Sequence, residues 1–521
     1  MVKYERNGWL AKADAVVETN QKEGVKDLIK ANDKESVTLG KELIRLKIED
    51  KLIDGLNPDQ TTAFVNMISF IRDPQDEAIV LKGYAGTGKT FLVKRVIEYL
   101  THAYPNRKIA ITAPTNKAVD VLIRNSPFAD ATQKIDHVFD DNENIIYTTI
   151  HKLLQLKEQV DNKGNRKFVS DQKGRKKKKD GILQYKYLVI DEVSMLPDEL
   201  FVEVMKYAED IKIIFMGDPA QIPPVGRIDC IPFKENTGFN LLLLELEQIM
   251  RQKGDNPIID TSMIIRDNLE ELNPLGNKDV TQINSSGEGL KFLEGKVPEE
   301  RAKVKDILSR YFLDPVYQDN GDFIKVIAWR NKEVNRLNKI IRSILYGPKV
   351  DTFTEGEKLV ANSPLFRQSR WGDYQVAHAT SSEFVVTDVV TVDRNLTNTV
   401  MNAPNIGFKG KYWCLKTESG DDLWIVHADD RARYFDEAKR LKQRAIVERS
   451  KFTWIQYYTF LKWNDDIAYN YAITAHKSQG STYDNVILFE EDLDKNPDII
   501  ERNRIKYTGY TRAKKRLYVL K

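Results

Sequence analysis

Apolar and polar positions along this chain form two alternating α/β sections, each interrupted by a stretch of shorter β-type pattern. From residue 56 to 191, short apolar runs alternate with amphipathic helical stretches, the signature of a parallel sheet covered by helices on both faces. Strands are predicted at 78–82, 108–112, 187–190 and 211–216, each ending in a polar or glycine-containing turn. Ligands of such sheets bind beyond the carboxyl ends of the strands, so these turns are where chemistry is expected. Between 151 and 185 the order breaks. The segment LKEQVDNKGNRKFVSDQKGRKKKKDG holds a hairpin turn, Asn162-Lys163-Gly164-Asn165, between two short strand-like runs, which predicts a small β insertion. A second alternating section starts at 323–329 and returns at 467–473, 485–489 and 516–520. Between them, from about 350 to 465, runs such as EFVVTDVVTV, YWCLKT and LWIVHA predict a small barrel or sheet inserted into a second α/β unit. Residues 1–55 carry one helical pattern, 39–52, and no visible chemistry, and no internal repeat stands out.

Composition narrows the class. At roughly 150 residues per domain, 521 residues suggest about three or four domains. Apolar residues are 41% of the chain, enough for real cores. The longest apolar runs, such as 241–244, fall far short of the roughly 18 residues a membrane span needs, so no membrane partner is expected. The opening MVKYERNGWLAKAD is polar and shows no signal peptide. Two cysteines, Cys230 and Cys414, cannot build a disulfide framework or a four-ligand zinc site. The expectation is a reduced, cytoplasmic protein with no cysteine-based metal site. The 80 Lys+Arg and 77 Asp+Glu leave a net charge of +3, which does not exclude nucleic acid, because binding depends on where charges sit.

Three strings carry candidate chemistry. In AIVLKGYAGTGKTFLVKRVIEYL a strand, a glycine-rich turn and a helix follow one another, and Gly83, Gly86, Thr87, Gly88, Lys89 and Thr90 fit a phosphate-binding loop. The glycines let backbone N–H groups face a triphosphate, and the helix N-terminus adds its partial positive charge. Lys89 would reach the β- and γ-phosphates, and the Thr90 hydroxyl would ligate Mg2+. In YLVIDEVSM an apolar strand ends in Asp191-Glu192: Asp191 would hold the magnesium shell and Glu192 would orient or deprotonate an attacking water, although such a pair alone is more often a helix cap or solvated turn. Upstream, Asn57 and Pro58 suit the cap and first position of a helix, and Gln60 has an amide able to pair with adenine.

The remaining motifs decide among ATP-hydrolysing classes. TAPTNKAV (112–119), TIHKLL (149–154), GDPAQIPPV (217–225), EQIMRQ (247–252), AITAHKSQGSTYDNV (472–486) and YTGYTRAKKRLYV (507–519) occur in this order. With the phosphate loop and the acidic pair, they resemble superfamily 1 helicases, more closely the B group that includes RecD and Dda. The match is collinear from 56 to the C-terminus, and residues 1–55 lie outside it. The resemblance implies an α/β fold of two RecA-like domains with ATP in the cleft between them. One would span 56–251 with a pin hairpin at about 152–183; the other would span 252–348 plus 466–521, with a β-rich, SH3-like barrel inserted at 349–465. It also implies that Gln221 senses the γ-phosphate and that Arg251 and Arg512 reach across the cleft to it. Arg512 also begins a basic run that would serve as a solvated face. Pro114, Thr115, Asn116, Thr149, His151, Asn331, Thr474, His476, Lys477, Ser478, Gln479 and Ser481 would face single-stranded DNA, and His151 and His476 have packed, structural roles as their alternatives. Phe168 would be either the wedge that splits a duplex or a core aromatic, and 175–179 (RKKKK) either phosphate contacts or a solvated loop. Trp371, Tyr374, Trp413 and Trp424 are expected in the core of the insertion.

The expected function is an ATP-dependent DNA helicase acting on single strands and forks, with 5′-to-3′ travel implied by the resemblance alone. Single-strand-binding, replication or recombination proteins are candidate partners. The alternatives are an ATP-driven translocase subunit of a nuclease complex and an ATP-switched clamp on single strands. No nuclease-like carboxylate cluster is visible, and a P-loop kinase has no use for the second-section motifs.

Overall fold

The computed structural model describes residues 51–72, 76–124, 138–139, 144–170, 181–224, 226–227, 229–234, 237–248, 256–276, 280–295, 297–368, 374–398 and 405–521. Arg251, Trp371 and the basic run 175–179 therefore lie outside the described residues, as does almost all of 1–55. Six strands make the first sheet: β1 (Ala78–Gly83), β2 (Ile109–Ala113), β3 (Ile145–Thr149), β4 (Tyr187–Ile190), β5 (Lys212–Gly217) and β6 (Leu241–Leu246). They lie in the order 3-2-4-5-1-6 with every neighbour parallel, and Val138–Phe139 pairs antiparallel on the outer side of β3.

The near-continuous apolar character of these strands follows from burial of both faces. Alternate residues separate cleanly. Ile79, Leu81, Ile109, Ile111, Val189, Ile214 and Met216 join one core with α1 (Pro58–Arg72) and α2 (Lys89–Ala103). Ala78, Val80, Ala110, Leu188, Ile190, Ile213 and Phe215 join the opposite core with α4 (Asp198–Met205), while α3 (Asn116–Arg124) sits on the first face. Strands β3 and β6 were not among the expected ones.

The second sheet is built from β7 (Gly289–Leu293), β8 (Ile324–Ala328), β9 (Ala472–Thr474), β10 (Tyr483–Phe489) and β11 (Ala513–Leu520), in the order 7-11-10-8-9 and again parallel, with Gln282–Ile283 antiparallel at the β7 edge. Helices α5 (Pro257–Asp267), α6 (Pro298–Phe312) and α7 (Asn331–Tyr346) serve this lobe. The apolar run 467–473 divides: Ile467–Tyr469 pairs with Lys358–Ala361 of the insertion, and only Ala472–Thr474 enters the second sheet.

The insertion holds a five-stranded sheet in linear order, Asp422–Val426, Ile406–Thr417, Glu383–Asn398, Lys358–Ala361, Ile467–Tyr469, and a separate Leu365–Gln368/Tyr374–His378 hairpin. It also carries two helices that the β-type reading did not expect, α8 (Ala428–Glu448) and α9 (Lys451–Leu461). Tyr412, Tyr434, Phe460 and Trp463 form the core that joins them to the ribbon. Tyr374, Trp413 and Trp424 are partly buried against the two cores of the insertion, in keeping with the expected core role. No helix among the described residues is long and apolar enough to cross a membrane.

The lobes and the insertion meet at one polar knot. Lys117 on α3 donates to Asp322 Oδ1 at 2.9 Å, just before β8, and to Glu383 Oε2 at 3.1 Å in the inserted ribbon. Arg124 reaches Asp322 Oδ2 at 2.9 Å, and Asn116 Nδ2 donates to Ser382 Oγ at 3.0 Å. Lys117 is only 8% exposed, so its ammonium depends on these carboxylates for solvation. Burial pushes the Asp322 carboxyl up, but Lys117, by its charge and hydrogen bond, together with Lys325 and Arg124 more than offsets this and holds it below the usual carboxylate range. Lys117→Met should therefore lower the thermal midpoint by the equivalent of about 3 kcal/mol at neutral pH. A depressed carboxyl stabilises above its unfolded value and loses that contribution as pH falls through its folded value. The gap between wild type and Lys117→Met in thermal denaturation should thus narrow as pH drops from about 7 to about 3. A gap independent of pH would contradict this account.

Candidate functional site

Parallel register brings the chemistry to one edge. Lys82 pairs with Gly217, Ile190 with Phe215, and Thr112 with both Ile190 and Thr148. The turns after β1, β2, β3, β4 and β5 consequently open on the same side of the sheet. After β1 the chain enters the glycine-rich turn. Gly86 and Gly88 adopt left-handed φ values of 86° and 81°, which a β-carbon would disfavour, and Gly88 is the N-cap of α2. Lys89 folds back over the loop, its Nζ donating to the carbonyls of Gly83 (2.5 Å) and Tyr84 (3.1 Å), and Thr90 stands exposed in the first turn of α2.

Gln60 is fully buried and committed at both ends. Its Oε1 accepts the Asn57 N–H at 3.2 Å, its own N–H goes to Asn57 Oδ1 at 2.8 Å, and its Nε2 donates to the Thr87 carbonyl at 3.1 Å. This reciprocal cap starts α1 and braces the phosphate loop. Both polar ends that would read adenine are occupied in this geometry.

Asp191 and Glu192 follow β4. Asp191 Oδ1 accepts the Glu192 N–H at 2.7 Å. Burial first, and the neighbouring Glu192 charge second, push the Asp191 carboxyl up to about 7, with Lys89 pulling the other way. A buried carboxylate of this kind is relieved by a cation. Among the described residues no group of three or more His, Cys, Asp or Glu would hold a metal alone. That is compatible with magnesium, which takes one or two protein oxygens and completes its shell with water and substrate phosphates. Glu192 sits at φ 52°, ψ 41°, a left-handed conformation costing a non-glycine residue about 1 kcal/mol or more and common where function fixes the backbone.

The turn after β5 holds Asp218 and Gln221. Asp218 Oδ1 accepts the Ala220 N–H at 2.9 Å, and its carbonyl accepts the Gln221 N–H at 3.3 Å. Gln221 is 5% exposed, and its Oε1 has no protein partner among the described residues.

The expected nucleic-acid residues divide. Thr149, Thr474, Ser478, Gln479 and Ser481 are buried. Thr149 and Thr474 cap short helical turns by accepting the N–H of Lys152 (3.4 Å) and Lys477 (3.3 Å), and Ser478 Oγ donates to the Ala475 carbonyl at 2.7 Å. Gln479 Nε2 crosses the cleft to the Ile222 carbonyl at 2.8 Å. These side chains shape their turns. Partly exposed at the same edges are Pro114, Thr115, Asn116, His151, His476 and Lys477, with Asn331 exposed at the start of α7. Burial lowers the imidazole pKa of both His151 and His476, which favours the neutral ring. A signal overlooked in the sequence is that Thr-Ile-His-Lys (149–152) and Thr-Ala-His-Lys (474–477) are the same device. Each follows a parallel strand, and the two threonines have nearly the same backbone, φ −75° with ψ 151° and 153°.

Arg512 does not extend across the cleft in this geometry. It is 5% exposed, and its guanidinium donates within its own lobe, to the carbonyls of Thr508 (3.0 Å) and Ser481 (3.0 Å) and to Thr511 Oγ1 (3.1 Å). It follows α10 (Ile499–Tyr510), whose Tyr507 does touch the phosphate loop. The Arg512 guanidinium thus rests on the turn that carries His476 and Lys477.

The predicted hairpin forms from Leu156–Val160 and Arg166–Ser170, with Phe168 opposite Glu158. Asp161 ties the turn by accepting the N–H groups of Lys163 (2.8 Å) and Asn165 (2.9 Å). The tip docks on α9 of the insertion: Tyr458 O–H donates to the Gly164 carbonyl at 2.7 Å, Asn162 Oδ1 accepts the Lys451 N–H at 3.1 Å, and Arg166 lies 4.9 Å from the Tyr458 ring centre. Gly164 has φ 86°, and a β-carbon there would lie 2.5 Å from the Trp454 ring, so this contact requires glycine.

With this geometry established, the chain is a two-lobed P-loop NTPase. Residues 69–227 match the family described as AAA domain, and residues 469–520 match the UvrD-like helicase C-terminal domain. The chain is 25% identical over 488 residues to the ATP-dependent DNA helicase Dda of Enterobacteria phage T4, covering 88% of this chain and 98% of that protein. It is also 25% identical over 503 residues to an uncharacterised protein of Acanthamoeba polyphaga mimivirus, covering 88% and 99%. Among solved structures, a Pif1 helicase from Candida albicans aligns at 17% identity and a TM-score of 0.40, over 89% of this chain and 94% of that one. In these matches, as in its motifs, the chain is similar to superfamily 1 helicases of the B group, of the RecD/Dda type.

If the hairpin tip is held by α9, Gly164→Ala should disturb that contact specifically. Tyr458→Phe, which removes one hydrogen bond, should destabilise by about 1 kcal/mol, and Gly164→Ala by about 2 kcal/mol or more, because it adds a clash to a left-handed position. Urea denaturation of the two variants checks this order; equal effects would mean the tip is not packed as described.

Proposed function

We propose that this protein is an ATP-dependent DNA helicase that moves along single-stranded DNA and separates duplex strands, in the 5′-to-3′ direction shared by its group. The observation that carries the reading is the shared cleft. The phosphate loop, the acidic pair and the Gln221 turn of one lobe open toward the helix of the other that leads to Arg512, and a matching Thr-x-His-Lys turn ends a strand in each lobe. A motor needs this arrangement, because a nucleotide can change a grip on a strand only by contacting both lobes differently in its bound states.

In this reading Lys89 leaves the carbonyls of Gly83 and Tyr84 to meet the β- and γ-phosphates, and the loop N–H groups cradle them. Thr90 and Asp191 would hold a magnesium ion, which when bound neutralises charge on the phosphates. Glu192 orients the attacking water, and Gln221 senses the γ-phosphate. Arg512, and Arg251 by resemblance, stabilise charge developing there, which requires Arg512 to exchange its intralobe carbonyls for phosphate. Pro114, Thr115, Asn116 and His151 in one lobe, with His476, Lys477 and Asn331 in the other, offer donors to the strand. The caps Thr149 and Thr474, the buried Ser478 and Ser481, and the cross-cleft Gln479 set the shape of those grips, and Gln60 braces the phosphate loop. The hairpin that carries Phe168, held by α9, would be the element that parts a fork. Separating a base pair costs about 1.4 kcal/mol, and stacking an exposed base on an aromatic side chain returns about 1–3 kcal/mol, so one aromatic at the fork offsets much of each step.

Lys89→Ala should reduce ATP turnover by about 100-fold or more while leaving single-strand affinity within a few-fold. Measured ATPase and fluorescence anisotropy with a labelled oligonucleotide test this, and normal turnover would refute the phosphate assignment. Unwinding of a 5′-tailed duplex should exceed that of a 3′-tailed one, and the reverse result would overturn the polarity. Gly164→Ala should cut unwinding by about tenfold with DNA-stimulated ATPase nearly unchanged; parallel losses of both would remove the hairpin from strand separation.

A further inference from the structure

The second lobe touches the phosphate loop at two consecutive residues. The guanidinium of Arg266, from α5, lies 4.1 Å from the centre of the Tyr84 ring. The backbone N–H of Ala85 donates to Tyr507 Oη at 3.1 Å, and the Tyr507 hydroxyl in turn donates to Asp218 Oδ2 at 2.7 Å. Tyr507 is 1% exposed and its helix is anchored in its own lobe, where Lys506 and Tyr510 both bond Glu490 at 2.8 Å. The loop residues Tyr84 and Ala85, and Ala220 and Ile222 from the Gln221 turn, pack into the second-lobe core beside Tyr507.

One hydroxyl thus joins three parts that must agree for hydrolysis. Ala85 belongs to the stretch whose N–H groups a triphosphate recruits. Asp218 organises the Gln221 turn through the Ala220 N–H. The carbonyl of Tyr507 accepts the Thr511 N–H at 3.0 Å, immediately before Arg512.

We propose that Tyr507 is a positioning residue of the ATPase, the joint through which phosphate-loop occupancy is passed to Asp218–Gln221 and to the segment carrying Arg512. Phosphate entering the loop competes for the Ala85 N–H, and the hydroxyl then keeps only its bond to Asp218. The tie between α10 and the loop is released as the tie to the Gln221 turn persists. Because Lys89 and the glycine-rich backbone hold the phosphates without it, Tyr507 acts on turnover more than on nucleotide affinity. This inference rests on the ATP-hydrolysis reading above.

Tyr507→Phe keeps the ring and its packing and removes only the joint. In the full chain with saturating single-stranded oligonucleotide, kcat for ATP should fall about tenfold while KM changes less than about threefold. The thermal midpoint should stay within a few degrees of wild type. Asp218→Asn, which keeps an acceptor for the hydroxyl, should be milder than Asp218→Ala, and Tyr507→Phe combined with Asp218→Ala should be no worse than Asp218→Ala alone. Unchanged kcat in Tyr507→Phe, a loss confined to KM, or additive losses in the double variant would each overturn the assignment. If wild type itself does not hydrolyse ATP, the ATPase reading falls and this inference with it; a wild type that does, alongside an unaffected Tyr507→Phe, sinks this inference alone.

Discussion

Buried polar groups must find partners, and the cleft between the two lobes of this protein is governed by that requirement. A phosphate loop is a row of backbone donors, and a side chain as strongly cationic as Lys89 cannot sit beside it unpaired. Here Lys89 is satisfied by the carbonyls of Gly83 and Tyr84, the Ala85 N–H by Tyr507, Gln479 by the Ile222 carbonyl, and Arg512 by carbonyls of its own lobe. In the proposed reading, each of these is a bond that ATP or DNA would replace. On that reading the cleft would answer ligands by exchanging partners, and because the Ala85–Tyr507 and Gln479–Ile222 bonds join opposite lobes, exchange there would move the lobes.

The same requirement explains which parts of the site were legible in the sequence. The phosphate loop, the acidic pair and the cleft motifs are strings in which residue type and backbone geometry are tightly bound, so Gly86, Gly88, Lys89, Asp191 and Glu192 stood out at once. Thr149, Thr474 and Ser478 carry local hydrogen bonds that their motifs do not announce: the two threonines accept an N–H of the turn they open, and the Ser478 hydroxyl donates to the Ala475 carbonyl. Arg512 illustrates a different limit, since a motif shows that an arginine is present but not which of its partners it holds. The doubled Thr-x-His-Lys turn was readable all along, but at four residues and two occurrences it lies below what a search for repeats detects.

Fold legibility followed hydrophobic period in a similar way. Strands of the first sheet are apolar on both faces, and four of the six were found. Missed were β3 (Ile145–Thr149), whose last two residues are threonines, and β6 (Leu241–Leu246), a sheet-edge strand with a half-exposed, partly charged pattern. The insertion was harder. Its long ribbon alternates over 16 residues and reads plainly as β, whereas α8 is largely solvent-facing, with Tyr434, Ala438, Leu441 and Ala445 as its only buried residues, and its helical stripe is thin. The run 467–473 read as one strand because apolar continuity hides the point where a chain leaves one sheet and enters another.

The contacts that join the lobes also set how a motor of this build would be driven. Single hydrogen bonds such as those of Tyr507 and Gln479 contribute about 0.5–1.5 kcal/mol each, within reach of the differential binding of one nucleotide. The Lys117–Asp322–Glu383 knot is another matter, because separating a buried ammonium from its carboxylates costs more than several such bonds together. Lys117 sits one residue beyond Asn116, and its two acidic partners lie in the second lobe and in the insertion. An efficient cycle would leave the knot closed and turn about it, opening and shutting the nucleotide side of the cleft where the bonds are weak. That makes the α3 end a pivot and the phosphate-loop side the moving edge. It also carries the inserted subdomain along with the second lobe, and with it α9, which holds the hairpin tip against the first.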